Sequence, residues 1–272
     1  MRWVPPGPAL LFCPADRPER YAKAAAASDV VILDLEDGEN PEDRVAARRA
    51  LAETLLDPER TVVRVNPTNS SDHSLDLEAV DRTPYDLIML AKTESADQVN
   101  ALYPRHVIAL CETPGGVLSA SDIAAAQPTT ALMWGAEDLV AGLEGRSSRR
   151  VNGTYRDVAR FARCQILLAA GANGCAAIDA VHIDIGDLEG LRDEAADAVA
   201  SGFVATACIH PTQVEVVREA YRPTAREVAW AHGVLETAMS VRGVFTYEGR
   251  MVDAPLLRHA ERIVRQDQQP QP

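Results

Sequence analysis

Short apolar runs recur along the chain, each followed by a longer stretch whose apolar positions fall three and four residues apart. The runs cover 9–14, 30–36, 61–66, 87–92, 107–113, 131–138, 177–184 and 206–211. Continuous apolar runs of this length fit strands buried on both faces, and the stretches between them, such as 41–56 and 155–170, have the spacing of crossover helices. The segment after 61–66, PTNSSDHS, reads as a loop before any helix begins. Eight strand–helix alternations with no linker predict an α/β chain folded as a TIM (β/α)8 barrel, with a doubly wound open sheet as the alternative. After the eighth run come a helical stretch over 224–241, the segment FTYEGRMVDAP and a last helix to about residue 265. We therefore expect a barrel domain over 1–222 and a C-terminal helical extension over 223–272 that packs on the barrel or on a neighbouring subunit.

Composition narrows the function. The 272 residues suit one barrel, and 47% hydrophobic with 25% charged residues is ordinary for a globular chain, while 5% aromatics leave the packing to alanine and valine. With 27 basic and 40 acidic residues the net charge is −13, which argues against nucleic acid or an anionic membrane as partner. The five cysteines form no CxxC pair and the six histidines no HxxxH or HExxH, so a zinc site or disulfide framework is not expected, and a reducing cytoplasm fits. The first residues, MRWVPPGPALLFCPADR, carry an apolar stretch too short and too broken by proline for a signal peptide or membrane span.

Nearly every run ends in a polar residue: Asp16 and Arg17, Glu36 and Asp37, Arg64 to Asn66, Lys92, Glu112, Glu137 and Asp138, Asp184, and His210. In a parallel barrel those ends meet at one rim, where this fold places its chemistry. Glu112 and Asp138 suit a hard divalent cation, since magnesium is held by one or two carboxylates completed by water and substrate oxygens. His210 is expected to be a hydrogen-bonding rim residue, TPGG at 113–116 to open a helix, and RSSRR at 146–150 to be a solvated loop. No phosphate-binding loop or GxSxG motif is present.

Eight motifs in order carry a family resemblance: CPADRPERYAKA at 13–24, VILDLEDG at 31–38, VRVN at 63–66, MLAKTES at 89–95, ALCET at 109–113, MWGAEDL at 133–139, CIHPTQ at 208–213 and GRMVDAP at 249–255. The chain resembles the citrate lyase β-subunit-like proteins within the HpcH/HpaI aldolase and malyl-CoA lyase group. The resemblance implies a TIM barrel, commonly a homotrimer, that cleaves a short 3-hydroxyacyl-CoA into an acyl-CoA and a 2-oxo acid with Mg²⁺. Malyl-, methylmalyl-, citramalyl- and hydroxymethylglutaryl-type thioesters all remain open as substrates.

By position, the resemblance makes Glu112 and Asp138 the metal ligands and Arg64 the grip on the substrate carboxylate. Glu36 and Asp37 lie beside the metal, and Gly135 and Ala136 line the oxo-acid pocket. Asp253 becomes the base, reaching an adjacent subunit's site; a helix N-cap before Pro255 is its alternative role. Arg17, Arg20 and Lys23 become the CoA-phosphate candidates. The chain departs from the family in Thr113-Pro114-Gly115-Gly116, where relatives carry small residues, and in Ala91, where relatives often have proline. Competing readings are a β subunit acting on carrier-bound acyl groups, a silent binder of oxo acids or acyl-CoA, and a CoA-independent class II pyruvate aldolase.

Overall fold

The computed structural model describes residues 2–37, 43–241 and 243–268. Gly38 of the 31–38 motif and residues 269–272 of the polar tail lie outside them. The apolar runs become strands β1 (Ala9–Pro14), β2 (Val30–Asp34), β3 (Thr61–Val65), β4 (Leu87–Leu90), β5 (His106–Cys111), β6 (Thr129–Trp134), β7 (Ala176–Asp179) and β8 (Ala205–Cys208). They pair in parallel and in chain order, and β8 returns to β1 to close a barrel. Between them run α1 (Pro18–Ala27), α2 (Arg44–Glu53), α3 (His73–Val80), α4 (Ala96–Asn100), α5 (Pro114–Leu118), α6 (Ala120–Ala125), α7 (Ala136–Gly142), α8 (Asp157–Asn173) and α9 (Leu188–Ser201), and α10 (Pro211–Tyr221) follows β8.

Alternate strand residues fill the interior, as the period of two in a strand requires. Val30 and Ile32, Leu87 and Met89, Ile108 and Leu110, and Ala131 and Met133 interlock with the small Ala205 and Ala207. The closing seam depends on Asp29, which is 2% exposed. Its carboxylate accepts the Ala9 N–H at 2.9 Å and two donors of Arg218 on α10, at 3.0 and 2.7 Å. Its carbonyl accepts Arg60 Nε at 2.9 Å. Gly7 is required beside it, because a Cβ there would lie 2.4 Å from the Asp29 carboxyl carbon.

The strands are shorter at their C-terminal ends than the apolar pattern predicts. Pairing stops at Asp34, Leu90, Cys111, Trp134 and Asp179, so Glu36, Lys92, Glu112 and Asp138 belong to the following loops or first helical turns. Asp184 is not a strand-end acid: it lies five residues past β7 and receives the Gly186 N–H at 3.0 Å within a turn. The loop predicted after β3 is present, with α3 beginning only at His73, and TPGG opens a helix, its first turn capped by the Thr113 hydroxyl. RSSRR is not simply solvated. Ser148 is buried and donates to Glu137 at 2.5 Å, while Arg149 pairs with Glu194 and lies over the Tyr155 ring at 4.0 Å.

The chain divides into two compact units between Ala220 and Tyr221. The second contains α11 (Ala225–Ser240), the hairpin β9 (Phe245–Tyr247) and β10 (Arg250–Val252), and α12 (Ala254–Asp267). Thr224 and Glu227 form a capping box that starts α11. Glu248 and Gly249 both have positive φ, the backbone of a two-residue hairpin turn. Ala231, Val234, Phe245, Val252, Ala260 and Ile263 make the core of this unit. Among the described residues no helix is long and apolar enough to cross a membrane.

Replacing Asp29 with alanine strips the seam of its acceptor and leaves the Arg218 charge half-buried. The expected loss is about 2–4 kcal/mol, read as a lower urea midpoint with an unchanged slope. Asp29→Asn, which keeps one acceptor oxygen, is expected to fall between the two.

Candidate active site

The interior alternation continues past the strand ends and determines what lines the mouth of the barrel. Val30 and Ile32 face inward, so Asp34 does too; Val62 is followed by Arg64, and Leu110 by Glu112. These side chains border a cavity of about 390 Å³ at the C-terminal rim. Phe12, Leu110, Met133, Val181, Ile183 and Ile209 give it apolar walls, and Asp34, Asp37, Arg64, Glu112, Glu137 and Asp138 give it charge.

Arg64 is 8% exposed and is held by both oxygens of Asp34, at 2.7 and 2.6 Å. Its Nη1 lies 3.2 Å from Glu36 Oε2, and its guanidinium sits 4.8 Å from the Phe12 ring centre. Burial works against its charge, but Asp34 and then Glu36 outweigh that, so its pKa is raised and it is a cation at every relevant pH. Asn66 donates to the Leu35 carbonyl at 2.7 Å and to the fully buried Asp76 at 2.8 Å. Asp76 is in turn paired with Arg48 at 2.7 Å, so a chain of bonds from α2 and α3 steadies the backbone between Asp34 and Glu36.

Glu112 follows β5 and Asp138 lies in the first turn of α7. Burial, and then the neighbouring Asp138 charge, push the Glu112 carboxyl up to about 8 despite Arg64 and Lys92. Burial likewise pushes Glu36 upward against Arg64 and Lys92. Gly135 makes room for Glu112: a Cβ there would stand 2.8 Å from its Oε2. Lys92, at φ 48°, holds left-handed backbone that costs a non-glycine residue about 1–2 kcal/mol. Its N–H donates to Glu112 Oε1 at 3.2 Å, and its Nζ contacts Glu36. Among the described residues no group of three or more His, Cys, Asp or Glu side chains converges as a complete metal cage. The buried Cys13 and Cys208 thiols are pushed up to about 11 and about 12 by burial, so thiolate chemistry at this rim is disfavoured.

Behind the cavity wall, Trp134 Nε1 donates to Asp179 at 2.6 Å, and Asp179 also accepts from Arg163 at 2.8 Å. The Tyr155 ring meets Trp134 edge-on at 5.1 Å. His182 Nδ1 lies 2.9 Å from Glu194, and Gln213 donates to the His182 carbonyl at 2.8 Å, which anchors the loop carrying Val181 and Ile183.

Of the residues singled out by sequence, Arg64, Asp37, Glu112, Gly135, Ala136 and Asp138 line this one cavity, and Glu36 stands beside it on Arg64 and Lys92. Arg17, Arg20 and Lys23 are exposed at the start of α1, where Arg17 lies 3.3 Å from Asp16. His210 bonds Thr212 at 2.8 Å, a local hydrogen bond of the expected kind. Asp253 belongs to the second unit, where it caps α12 by accepting the Leu256 N–H at 3.3 Å. Sequence reasoning missed Asp34, although extending the 30, 32 alternation by one step would have found it. It also missed Asp76, Asp179, Glu194 and Tyr155, which lie in helices, at strand ends or in loops with no motif to mark them.

A carboxyl whose folded pKa exceeds its unfolded value binds its proton more tightly when folded. Stability is therefore greatest below about 4.5 for Glu112 and declines as pH rises through about 8. Glu112→Gln is expected to become progressively less destabilising across that interval and flat beyond it, as read from urea unfolding in chelator-treated buffer. A pH-independent difference would contradict this.

The family model for HpcH/HpaI aldolase/citrate lyase matches residues 9–211. "Citrate lyase subunit beta-like protein" of Mycobacterium tuberculosis is 60% identical over 259 residues, covering 95% of each chain. The crystal structure of protein CitE from that organism, in complex with magnesium, acetoacetate and coenzyme A, superposes with a TM-score of 0.93 at 60% identity, covering 96% of this chain and 98% of that one. Human mitochondrial citramalyl-CoA lyase is 29% identical over 293 residues, covering 95% of this chain and 85% of its own. With the barrel, the rim cavity and these likenesses together, the chain belongs to the HpcH/HpaI aldolase/citrate lyase family, a family of carbon–carbon lyases.

Proposed function

We propose that the chain is a magnesium-dependent lyase that cleaves a short 3-hydroxyacyl-CoA to an acyl-CoA and a 2-oxo acid, and runs the reverse condensation. The observation that carries this reading is the gathering of Arg64, Glu112, Asp138 and the Gly135–Ala136 backbone around one cavity with apolar walls. The donor set fits the metal: burial, and then the nearby Asp138 charge, disfavour the Glu112 carboxylate, and a hard cation held between the two acids relieves both. Glu112 and Asp138 would hold it, and bound magnesium supplies Lewis acidity toward the oxo-acid oxygens. The likeness to a protein crystallised with magnesium, acetoacetate and coenzyme A supports the same ligand classes here.

Arg64 would take the oxo-acid carboxylate. Asp34 uses Nε and one Nη2 hydrogen, so the guanidinium keeps further donors for a ligand. Glu36 and Asp34 fix its plane, and a pre-set guanidinium loses little freedom on binding. The apolar wall of Phe12, Met133, Val181 and Ile183 excludes water and suits a short acyl chain. Asp253 would act as base. In cleavage it takes the proton of the C3 hydroxyl, the O–H pair becomes the new carbonyl, and the C2–C3 bonding pair passes to the acyl-CoA as an enolate that is then protonated. Arg17, Arg20 and Lys23, three residues apart at the start of α1, would meet the CoA phosphates. Asp253 would serve the neighbouring subunit of a homotrimer.

With acetyl-CoA or propionyl-CoA, glyoxylate or pyruvate, and Mg²⁺, mass spectrometry is expected to find a condensation product from wild type. Asp253→Asn should lower turnover by about a hundredfold or more. Arg64→Lys should raise the KM for the oxo acid by about tenfold by losing planar two-point recognition. A wild type active only on carrier-bound acyl groups would replace this reading with a citrate lyase β subunit, and oxo-acid binding with no product would replace it with a silent binder.

A base donated in trans also predicts complementation. Asp253→Asn and Arg64→Ala chains, each inactive, should regain activity when unfolded and refolded together, because mixed oligomers contain some intact sites. No recovery in mixed oligomers would show that Asp253 does not serve a neighbouring subunit.

A further inference from the structure

Lys92 is the residue of this rim that the reaction above leaves without a task, and the chain goes to unusual lengths to place it. Its left-handed backbone is fixed on both sides: its own N–H donates to Glu112, the Thr93 N–H to the Leu110 carbonyl at 2.9 Å, and the Thr93 hydroxyl to the Leu90 carbonyl at 2.7 Å. Gly116 is needed for the same turn, since a Cβ there would lie 2.2 Å from the Thr93 carbonyl oxygen. A non-glycine residue held in this region by its surroundings points to a functional constraint.

The turn carries the Lys92 ammonium into the midst of the carboxylates. Nζ contacts Glu36 Oε1 and stands 3.3 Å from Asp138, 3.8 Å from Asp37 and 3.9 Å from Glu112. The side chain is 31% exposed, against 7% for Glu36 and 4% for Glu112. One ammonium is thus shared between Glu112 and Asp138, the pair assigned to the metal, and Glu36, which also faces Arg64. The carboxylates that surround it favour the charged form of a lysine.

We propose that Lys92 sets the affinity of this site for its divalent cation: it is a positioning residue whose ammonium competes with the cation for Glu112 and Asp138 while holding Glu36 toward Arg64. The inference rests on the reading that Glu112 and Asp138 bind the metal. Two positive ions that share the same carboxylates at these distances repel strongly in a partly dehydrated site. The cation is therefore held loosely by protein alone, and an oxo acid that brings its own carboxylate completes the charge balance. Metal and oxo acid then bind as a pair.

The test is calorimetric titration with magnesium chloride, all chains being compared at one fixed pH. Wild type, Lys92→Met, Lys92→Gln, Lys92→Arg and Glu112→Gln are compared, each shown to melt cooperatively. The two neutral variants should bind magnesium about tenfold more tightly than wild type, while Lys92→Arg, which keeps the charge, stays within about threefold. In chelator the neutral variants should also melt lower than wild type, and magnesium should raise their melting temperatures by more. Neutral variants that bind magnesium as wild type does, or more weakly, overturn the Lys92 assignment alone if Glu112→Gln still abolishes binding. Magnesium binding that is absent in wild type, or indifferent to Glu112→Gln, overturns the metal reading and the Lys92 assignment together. Either neutral variant suffices should the other fail to fold.

Discussion

Arg64 is a permanent charge set inside the end of a barrel, and the rest of the rim is arranged around the need to compensate it. An unpaired guanidinium at 8% exposure would destabilise the fold by several kcal/mol. Asp34 meets it with both oxygens, Glu36 lies 3.2 Å from its Nη1, and its guanidinium carbon lies over the Phe12 ring. Compensation overshoots once Glu112 and Asp138 are added. Lys92 is drawn in among these acids, and burial, with the Asp138 charge adding to it, pushes the Glu112 carboxyl up to about 8. The place holds more carboxylate than the protein's own cations neutralise, inside a chain that is already at −13.

How far the sequence revealed this depended on periodicity. The barrel was legible because eight apolar runs alternate with helical spacing, and parallel strands buried on both faces have few other ways to arise. The rim was legible where a strand's own alternation carries on beyond its last paired residue: 62 then 64, and 110 then 112, lead from interior aliphatics to Arg64 and Glu112. The same step gives Asp34 after Val30 and Ile32. Strand ends were less well read, since the loss of ladder bonds at Asp34, Leu90 and Asp179 leaves no mark in an apolar run that continues for one or two residues.

Side chains that act across elements were illegible for a different reason. Asp76 steadies Asn66 from a helix ten residues away, Asp179 holds Trp134 across two strands, and Glu194 reaches Arg149 and His182 from α9. Each is an ordinary acid on an amphipathic element until the barrel closes. RSSRR looked solvated because charge density is what the sequence displays, whereas the fold spends Arg149 on Glu194 and the Tyr155 ring.

Asp253 has a local role in the structure and a distant one only by proposal, and the two must be compatible. Its carboxylate satisfies one orphan N–H of α12, which an N-cap aspartate ahead of proline does well. Such a cap engages a single oxygen, here Oδ1, and fixes the side-chain rotamer at the helix start. An aspartate held in one orientation, with its second oxygen outside the cap bond, keeps an acceptor at a defined point, as the base role proposed for it requires. Capping and catalysis are therefore compatible on one side chain, and the hairpin at 245–252 that precedes Asp253 sets the direction from which the chain enters that cap.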